Sequence, residues 1–307
     1  MVITVSGAKR PGILPRGSRL DLKTLRIAAV VNTASGSAGP EAAAELERLL
    51  AQASLTPVEV ASVGPAEIDA ALDRLSSVSV DLLVVIGGDG TIRTAAERCG
   101  GKKVMLMPLP GGTMNMLPKA LYGNRGWQDA LLATLEAPRL RDVSGGQVGP
   151  YRFFCAGIFG APALWASARE AVREAAFLRA ARQALAAYRR AFARRVLYVF
   201  GDTKTGRAEA VTVLCPLISS ALPNDAPVLE AAALDLAGAA QAFHLAFNAI
   251  FSDWRHDPAV ETAKVERVRL FSRGSIPAIL DGEIVRLPRA ADVSFVPHGF
   301  NALVPAS

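Results

Sequence analysis

The sequence predicts an α/β N-terminal domain built on a parallel β-sheet, followed by a second domain that is mainly an antiparallel β-sandwich. Four short apolar runs in the first half each end near a loop or turn, and helical stretches follow them. Repeated strand–loop–helix units are typical of a parallel sheet with helices on both faces. After about residue 140, short alternating stretches replace this rhythm and favour a sandwich.

The composition sets the class of protein. A chain of 307 residues with 51% hydrophobic and 20% charged residues can bury a sizeable core, which excludes an intrinsically disordered protein. Three widely spaced cysteines exclude a disulfide scaffold, and three histidines make a His-rich metal site a poor hypothesis. The net charge of +6 is compatible with anionic partners without demanding one.

The first domain is predicted to cover residues 25–140, after a flexible lead-in over 1–24 in which Pro and Gly interrupt any periodicity. Its predicted strands are 25–31, 58–63, 81–86 and 103–109, and its predicted helices begin near residues 40, 65, 91 and 116. Ligands of such sheets bind at the carboxyl ends of the strands. All three glycine-containing loops of this domain fall at that edge.

The second domain is predicted to cover residues 141–289. Its predicted strands are 147–155, 196–201, 208–215, 228–236, 242–251, 265–272 and 278–280, with a further strand at 293–296. One long helix is predicted over 162–195.

The loop Gly87–Thr91 carries the strongest chemical signal. Consecutive glycines after a buried strand let the backbone approach an anion, and the N–H groups of the next helix can then bind phosphate. Asp89 places a carboxylate inside this loop, where it would repel phosphate unless a cation lies between them. This combination favours a Mg²⁺-dependent phosphoryl-transfer site. A tight turn in which Asp89 caps the helix is the structural alternative.

Two further loops repeat this pattern at other strand ends. The loop 110–115 offers Thr113 and Asn115 as short polar groups for a phosphate or a ribose, and capping of the next helix is their structural alternative. The turn 32–36 is the weakest of the three, because its residue types are common in turns. Three such loops in series nevertheless favour a shared binding site.

Four segments together resemble a known family. Asn32-Thr-Ala-Ser-Gly36 is similar to N-P-x-S-G, Gly87–Thr91 matches G-G-D-G-T, the stretch 108–115 resembles P-x-G-T-x-N, and Asp281-Gly-Glu283 is similar to D-G-E. In this order and separation they resemble the diacylglycerol kinase catalytic-domain family of lipid kinases, which includes sphingosine and ceramide kinases and bacterial lipid kinases. NAD kinase and phosphofructokinase are more distantly similar.

The resemblance implies an ATP-binding first domain, completed by about residues 290–307, and a lipid-substrate domain, with phosphate transfer in the cleft between them. It implies Glu283 as the acceptor of the lipid hydroxyl proton, and Asp89 as a Mg²⁺ ligand or a partner in the base role. Asp281 is the second implied metal ligand. The implied nucleotide-binding residues are Asn32, Ser35, Gly36, Ser62, Gly87, Gly88, Asp89, Gly90, Thr91, Gly112, Thr113 and Asn115.

The chain departs from the family pattern at three places. Thr33 stands where members usually have Pro, and Met116 stands where many have Asp. The acidic D-D-G loop that holds a structural Mg²⁺ in some bacterial members has only Asp235 as a candidate, without the following Gly. The second metal is therefore not predicted.

The predicted helix 162–195 is amphipathic and basic. It carries eight Arg and two Glu, and Leu178, Leu185 and Phe192 recur at helical spacing. Such a helix can lie on an anionic bilayer, which predicts transient contact with a membrane surface. Packing of its apolar stripe on the sandwich, with a solvated Arg face, is the alternative. No recognition motif supports nucleic-acid binding.

The expected activity is that of an ATP- and Mg²⁺-dependent lipid kinase acting on diacylglycerol, ceramide or a similar neutral lipid. A kinase for a soluble substrate such as NAD, and a nucleotide-binding regulatory protein without catalysis, are the alternatives. No apolar run reaches the ~20 residues that a spanning helix needs, and the N-terminus lacks a signal-peptide core. We therefore expect a cytoplasmic protein, peripherally associated with the inner membrane, and a homodimer stays open.

Overall fold

The structure is a computed structural model that describes residues 20–77, 80–160, 195–234 and 260–306. The predicted helix 162–195 (up to its last residue), the predicted strand 242–251, Asp235 and most of the lead-in lie outside these residues. Among the helices that the structure describes, none has the length and apolar character needed to cross a membrane.

The described chain contains five α-helices and sixteen strands, after a 3₁₀ turn at Leu22–Thr24. The helices are α1 Ala42–Gln52, α2 Ile68–Ser77, α3 Asp89–Cys99, α4 Met116–Tyr122 and α5 Trp127–Glu136. The first eight strands are β1 Ile27–Asn32, β2 Glu59–Val63, β3 Leu82–Gly87, β4 Met105–Pro110, β5 Pro138–Val148, β6 Tyr151–Phe153, β7 Ala156–Gly160 and β8 Val196–Phe200. The others are β9 Lys204–Ala208, β10 Ala210–Leu214, β11 Leu229–Leu234, β12 Val260–Val265, β13 Arg267–Phe271, β14 Ile276–Leu280, β15 Glu283–Leu287 and β16 Ala290–Pro305.

The first four strands form a parallel sheet in the order β2-β1-β3-β4. Strands β3 and β4 are buried along their whole length, as expected for apolar runs covered by helices on both faces. Because parallel strands end at one edge, the loops that follow β1, β3 and β4 are brought together there. The predicted parallel α/β domain is confirmed.

The long strand β16 joins this sheet to the rest of the molecule. It pairs in parallel with β4 at Asn301 and Ala302, and in antiparallel fashion with β5 and β13. The sheet continues through β8 to β9 and reaches ten strands with β5 and β6. The expected domain boundary near Arg141 falls inside the continuous strand β5.

A second sheet of six antiparallel strands has the order β12-β11-β10-β7-β14-β15. One face of it packs against the antiparallel part of the large sheet around Phe153, Phe159, Val213 and Leu270. The prediction of a second, mainly antiparallel domain built from two packed sheets is thereby confirmed. The hairpin between β14 and β15 carries the segment Asp281–Glu283 to the first domain.

Two predicted strands have different bounds in the structure. The predicted strand 147–155 is a hairpin, because Gly149 adopts a φ of +55° and reverses the chain between β5 and β6. The predicted strand 293–296 is the middle of the sixteen-residue β16. Sequence analysis missed α5 and the strands β7, β9, β12 and β15. Strands β9, β12 and β15 are exposed or half-exposed at most positions, and charged residues interrupt their apolar residues.

Candidate active site

The loops after β3 and β4 touch backbone to backbone at the carboxyl edge of the parallel sheet. A Cβ atom on Gly112 would lie 2.7 Å from Cα of Gly88, and one on Gly111 would lie 2.8 Å from the backbone N of Gly87. No side chain fits between such closely packed main chains. Gly111 and Gly112 are therefore required by packing, whatever the loops bind.

Hydrogen bonds tie the loop after β1 to these two loops. The Ser37 amide donates to the Gly111 carbonyl at 2.9 Å, and the Ser37 hydroxyl donates to the Gly112 carbonyl at 3.3 Å. The Asn32 side chain donates from Nδ2 to Oγ1 of Thr91 at 2.9 Å. The three predicted loops therefore form one bonded unit, which we call the glycine cradle (residues 32–37, 87–91 and 111–115).

Asn115 stabilises the loop 111–115 of the cradle through its side-chain hydrogen bonds. Its backbone is left-handed with a φ of +50°, and its side-chain amide bonds to both sides of one residue: Oδ1 accepts from the Gly112 N–H at 2.8 Å, and Nδ2 donates to the Gly112 carbonyl at 2.7 Å. The side-chain amide therefore has a structural role in this loop, and its contact with a nucleotide stays a prediction. Thr113, by contrast, is exposed at the loop.

The remaining predicted nucleotide residues lie around the same edge. Gly36 is exposed, and a Cβ on it would meet no atom within 4 Å. Ser62 is exposed on β2, in register with Val31. The hydroxyl of Ser35 is buried and has no hydrogen-bond partner within the described ranges of the chain.

Asp89 begins α3 and binds the start of α4. Its Oδ2 accepts from the Asn115 N–H at 2.9 Å and its Oδ1 from the Met116 N–H at 2.6 Å. Burial raises the pKa of Asp89, whereas these two N–H groups and the positive charge of Lys119 lower it. Met116 thus contributes its backbone N–H, and its side chain is buried, which explains how an apolar residue is tolerated there.

Glu283 reaches the glycine cradle from the second sheet. Its Oε1 lies 2.5 Å from the position that a Cβ on Gly90 would occupy, and a Cβ on Gly282 would lie 3.9 Å from Cβ of Asp89. Glu283 is itself exposed. The two carboxylates predicted to serve one reaction, almost two hundred residues apart in the sequence, therefore lie against the same first turn of α3.

Asp281 is buried and bonded to the backbone of the second domain. It is 4% exposed, and its carboxylate accepts three backbone N–H groups, from Phe154 at 2.6 Å, Cys155 at 2.8 Å and Ala156 at 2.9 Å. Burial raises the pKa of Asp281 to about 6, although these bonds and the charge of Arg93 lower it. Its oxygens therefore bind the backbone of the second domain, and a role as a metal ligand stays a prediction.

Sequence analysis missed two basic residues of this region. Arg93 lies four residues after Asp89, and Lys119 lies one helical turn after Met116. Helical spacing places each of them on the same helix face as a site residue, which is the signal that could have found them. Lys119 also lines a cavity of about 290 Å³ with Asn115, Arg125 and the buried Trp127.

The acidic residues set a limit on how a metal could bind. Within the described parts of the chain, no group of three His, Cys, Asp or Glu side chains lies close enough to hold a metal ion. Mg²⁺ is commonly held by one or two carboxylates together with substrate phosphates, and keeps several waters. Asp89 fits that kind of shared coordination, because it is the carboxylate inside the cradle.

Helix N-termini that follow glycine-rich loops are ready-made phosphate-binding sites, and here one such terminus lies beside the Glu283 carboxylate. Residues 26–148 match the family model of the diacylglycerol kinase catalytic domain. The predicted resemblance to this family is confirmed over that segment.

Solved structures share the fold over most of the chain. A crystal structure of a diacylglycerol kinase from Bacillus anthracis str. Sterne matches with a TM-score of 0.64 and 16% identity, covering 91% of this chain and 97% of that one. A second structure, of a candidate diacylglycerol kinase from the same organism, matches with a TM-score of 0.66, also at 16% identity and with the same coverage. At this identity the likeness establishes the two-domain fold. No curated protein sequence matches the chain significantly.

Proposed function

We propose that this protein is an ATP-dependent lipid kinase that transfers the γ-phosphate to a hydroxyl of diacylglycerol, ceramide or a similar neutral lipid. The observation that carries the proposal is the position of Glu283. Its carboxylate lies over Gly90, beside Asp89, although it comes from the other domain. This is the arrangement that a transfer between a nucleotide and a hydroxyl requires.

The nucleotide phosphates bind at the glycine cradle. The first turn of α3 presents backbone N–H groups, and the helix dipole favours negative charge there. The close packing of Gly88 and Gly112 leaves main-chain atoms rather than side chains at this surface. Thr113 is exposed at the same edge and offers its hydroxyl. These groups hold the transferred phosphate in place and leave the chemistry to the carboxylates.

Asp89 would hold Mg²⁺ together with the nucleotide phosphates. Its two backbone hydrogen bonds fix the carboxylate without filling all its acceptor positions. Burial disfavours its negative charge, so a bound cation would stabilise the ionised form. When bound, Mg²⁺ would neutralise part of the negative charge on the phosphate oxygens.

Glu283 accepts the proton of the lipid hydroxyl. The hydroxyl oxygen attacks the γ-phosphorus, the bond from that phosphorus to the bridging oxygen of ADP breaks, and the hydroxyl proton moves to the Glu283 carboxylate. An alcohol has a high pKa and needs a nearby base as this bond forms. Glu283 is exposed at the cleft, where a substrate hydroxyl can approach it.

The lipid substrate is supported by the family whose model residues 26–148 match. The protein would then reach its substrate by transient contact with an anionic membrane surface, as a peripheral protein on the cytoplasmic side of the inner membrane. Two competing functions must be separated by the test. One is a kinase for a soluble substrate such as NAD, and the other is a regulatory protein that binds a nucleotide without catalysis.

The test is phosphate transfer from γ-labelled ATP with Mg²⁺. Vesicles containing diacylglycerol or ceramide, and NAD in solution, serve as separate acceptors. We expect label on a lipid with the wild type, and a loss of about 10²- to 10⁴-fold in kcat for Glu283→Gln, because general-base catalysis typically contributes that much. Glu266→Gln is the matched control, since Glu266 is an exposed glutamate in the turn between β12 and β13. It should retain wild-type activity.

Three results would contradict the proposal. Label on NAD and on no lipid would make the protein a soluble-substrate kinase. Label on no acceptor, with intact ATP binding, would favour a regulatory protein. Wild-type transfer by Glu283→Gln would remove the assigned base.

A further inference from the structure

Gly90 is the second residue of α3, at a position where the backbone does not require a glycine. Its φ is not positive, so an alanine could adopt the same backbone conformation. Alanine has the highest helix propensity of all residues, and glycine is one of the poorest helix formers. The helix is therefore less stable for having a glycine here, and the reason for the glycine must lie outside the helix.

Other glycines of the cradle are confined by the first domain itself. A Cβ on Gly87 would lie 2.6 Å from the Thr91 side chain, and a Cβ on Gly112 would lie 2.7 Å from Cα of Gly88. These collisions are between parts of the cradle. They explain how its loops pack together without any contribution from the second domain.

The atoms around Gly90, in contrast, belong to the second domain. The three atoms nearest to a Cβ at this position are Oε1, Cδ and Cγ of Glu283, at 2.5, 3.1 and 3.6 Å. Cβ atoms essentially never approach another heavy atom closer than 3.0 Å, so an alanine would displace this carboxylate. The Glu283 side chain thus occupies the space that a side chain at position 90 would fill.

The first turn of α3 is also a favourable place for this carboxylate. The helix begins at Asp89, and its first N–H groups form the positive end of the helix dipole. The carboxylate of Asp89 itself binds the N–H groups of Asn115 and Met116 at the start of α4. Glu283 has an exposed side chain, and packing against this turn restricts the rotamers that it can adopt.

We infer that Gly90 is a positioning residue: because it has no side chain, the Glu283 carboxylate can pack on the first turn of α3, and this contact places the proposed base beside the nucleotide phosphates. The part of this inference that concerns phosphate transfer rests on the proposed function. The packing of Glu283 on Gly90 does not depend on it and is measured separately.

The first readout is thermal stability, which needs no activity. Glu283→Ala removes all three atoms nearest to the new Cβ, and in that background Gly90→Ala should raise Tm by about 2 °C, as Gly→Ala does at compatible positions. In the otherwise wild-type protein Gly90→Ala should give no such rise, because it also displaces a carboxylate from the helix N-terminus. Gly64→Ala is the matched control, since its Cβ would lie 4.0 Å from the nearest atom, an oxygen of Glu67. It should change Tm equally in both backgrounds.

The second readout is kinetic and uses the acceptor that the wild type phosphorylates. We expect Gly90→Ala to lower kcat about 100-fold, as a displacement of about 1 Å at a reacting group does. The Kd for ATP, measured without acceptor, should change less than about 3-fold, because the lost interaction belongs to the chemical step. Glu283→Asp shortens the side chain and withdraws its carboxylate from the new Cβ. In that background Gly90→Ala should lower kcat less than about 10-fold.

An equal rise of Tm in both backgrounds would overturn the inference, because Glu283 would then not occupy the space over Gly90. A Kd for ATP that weakens as much as kcat falls would also overturn it and make Gly90 a contact of the phosphates. A loss of kcat that is undiminished in the Glu283→Asp background would do the same. A wild type that phosphorylates no acceptor refutes the proposed function instead, and the Tm measurements still decide whether Glu283 packs on Gly90.

Discussion

The two halves of the candidate site are held in place by different forces. The glycine cradle is fixed by main-chain contact, with Gly112 and Gly88 too close for any side chain. The Asp281–Glu283 turn is fixed by one buried carboxylate and its three N–H partners. The position of the glycine cradle therefore depends on close backbone packing. The position of the turn that carries Glu283 depends on the hydrogen bonds of a charged group.

This difference predicts two kinds of sensitivity. Added volume should damage the cradle at any pH, because a backbone collision does not depend on protonation. The turn should tolerate small changes in volume and respond to changes in charge.

The largest effect is expected for Gly112→Ala. The new Cβ would lie 2.7 Å from Cα of Gly88, a backbone atom that cannot rotate away. We expect kcat/KM for ATP to fall about 100-fold or more, since displacements of about 1 Å at a reacting group have that effect. Overpacking should also lower the free energy of unfolding by about 1–3 kcal/mol. Steady-state kinetics and urea denaturation would measure both.

Gly64→Ala is the matched control for this prediction. A Cβ on Gly64 would have its nearest neighbour, a flexible Glu67 oxygen, at 4.0 Å. If Gly64→Ala and Gly112→Ala lost equal kcat/KM and equal stability, the close packing of the loops after β3 and β4 would not explain the loss in Gly112→Ala.

The turn should show its dependence on charge in the pH profile of stability. Folding raises the pKa of Asp281 from 3.8 to about 6, so the folded protein binds this proton more tightly than the unfolded chain. The contribution of Asp281 to the free energy of unfolding is then largest below about pH 4 and is lost as the pH rises through 6. A pKa difference of about two units between the folded and unfolded states corresponds to about 3 kcal/mol in the free energy of unfolding.

The measurement is the difference in free energy of unfolding between the wild type and Asp281→Asn from pH 4 to pH 7. The difference should shift against the wild type as the pH rises and level off above about pH 6. Asp202→Asn is the control, because the Asp202 side chain is 99% exposed. A curve for Asp281 as flat as the control would contradict the charge-dependent anchor.

A smaller effect is expected where β16 meets α4. The buried hydroxyl of Tyr122 donates to the Leu303 carbonyl at 3.0 Å, which ties the last strand to the first domain. Tyr122→Phe leaves that carbonyl unpaired, and we expect a loss of about 1–2 kcal/mol in the free energy of unfolding. Urea denaturation would measure it against Tyr151→Phe, a half-buried tyrosine on β6. Equal stability of the two variants would show that the hydrogen bond from Tyr122 to Leu303 does not stabilise the fold.

Much of the cradle could be predicted from the sequence because its signals are local. A buried strand, a run of glycines and a helix start are contiguous, and parallel strands must end at one edge. The pairing of Asp89 with Glu283 came from the resemblance, since no spacing rule relates residues so far apart.

The roles of Asp281 and Asn115 could not be predicted, because their partners are backbone groups that only the fold supplies. Asp281 accepts from residues 154–156 across the second domain, and Asn115 bonds to a peptide of its own loop. Polar residues in glycine-containing turns look alike in sequence whether they bind a ligand or the main chain. Their exposure and hydrogen bonds distinguish the two.

The most direct test of the account is a double-mutant cycle in kcat with Asp89→Asn and Glu283→Gln. If both carboxylates serve one phosphate transfer, each single variant should lose about 100-fold or more, and the double variant should be about as slow as the slower single one. Losses that multiply fully in the double variant, or a Glu283→Gln enzyme as fast as wild type, would contradict a shared reaction centre.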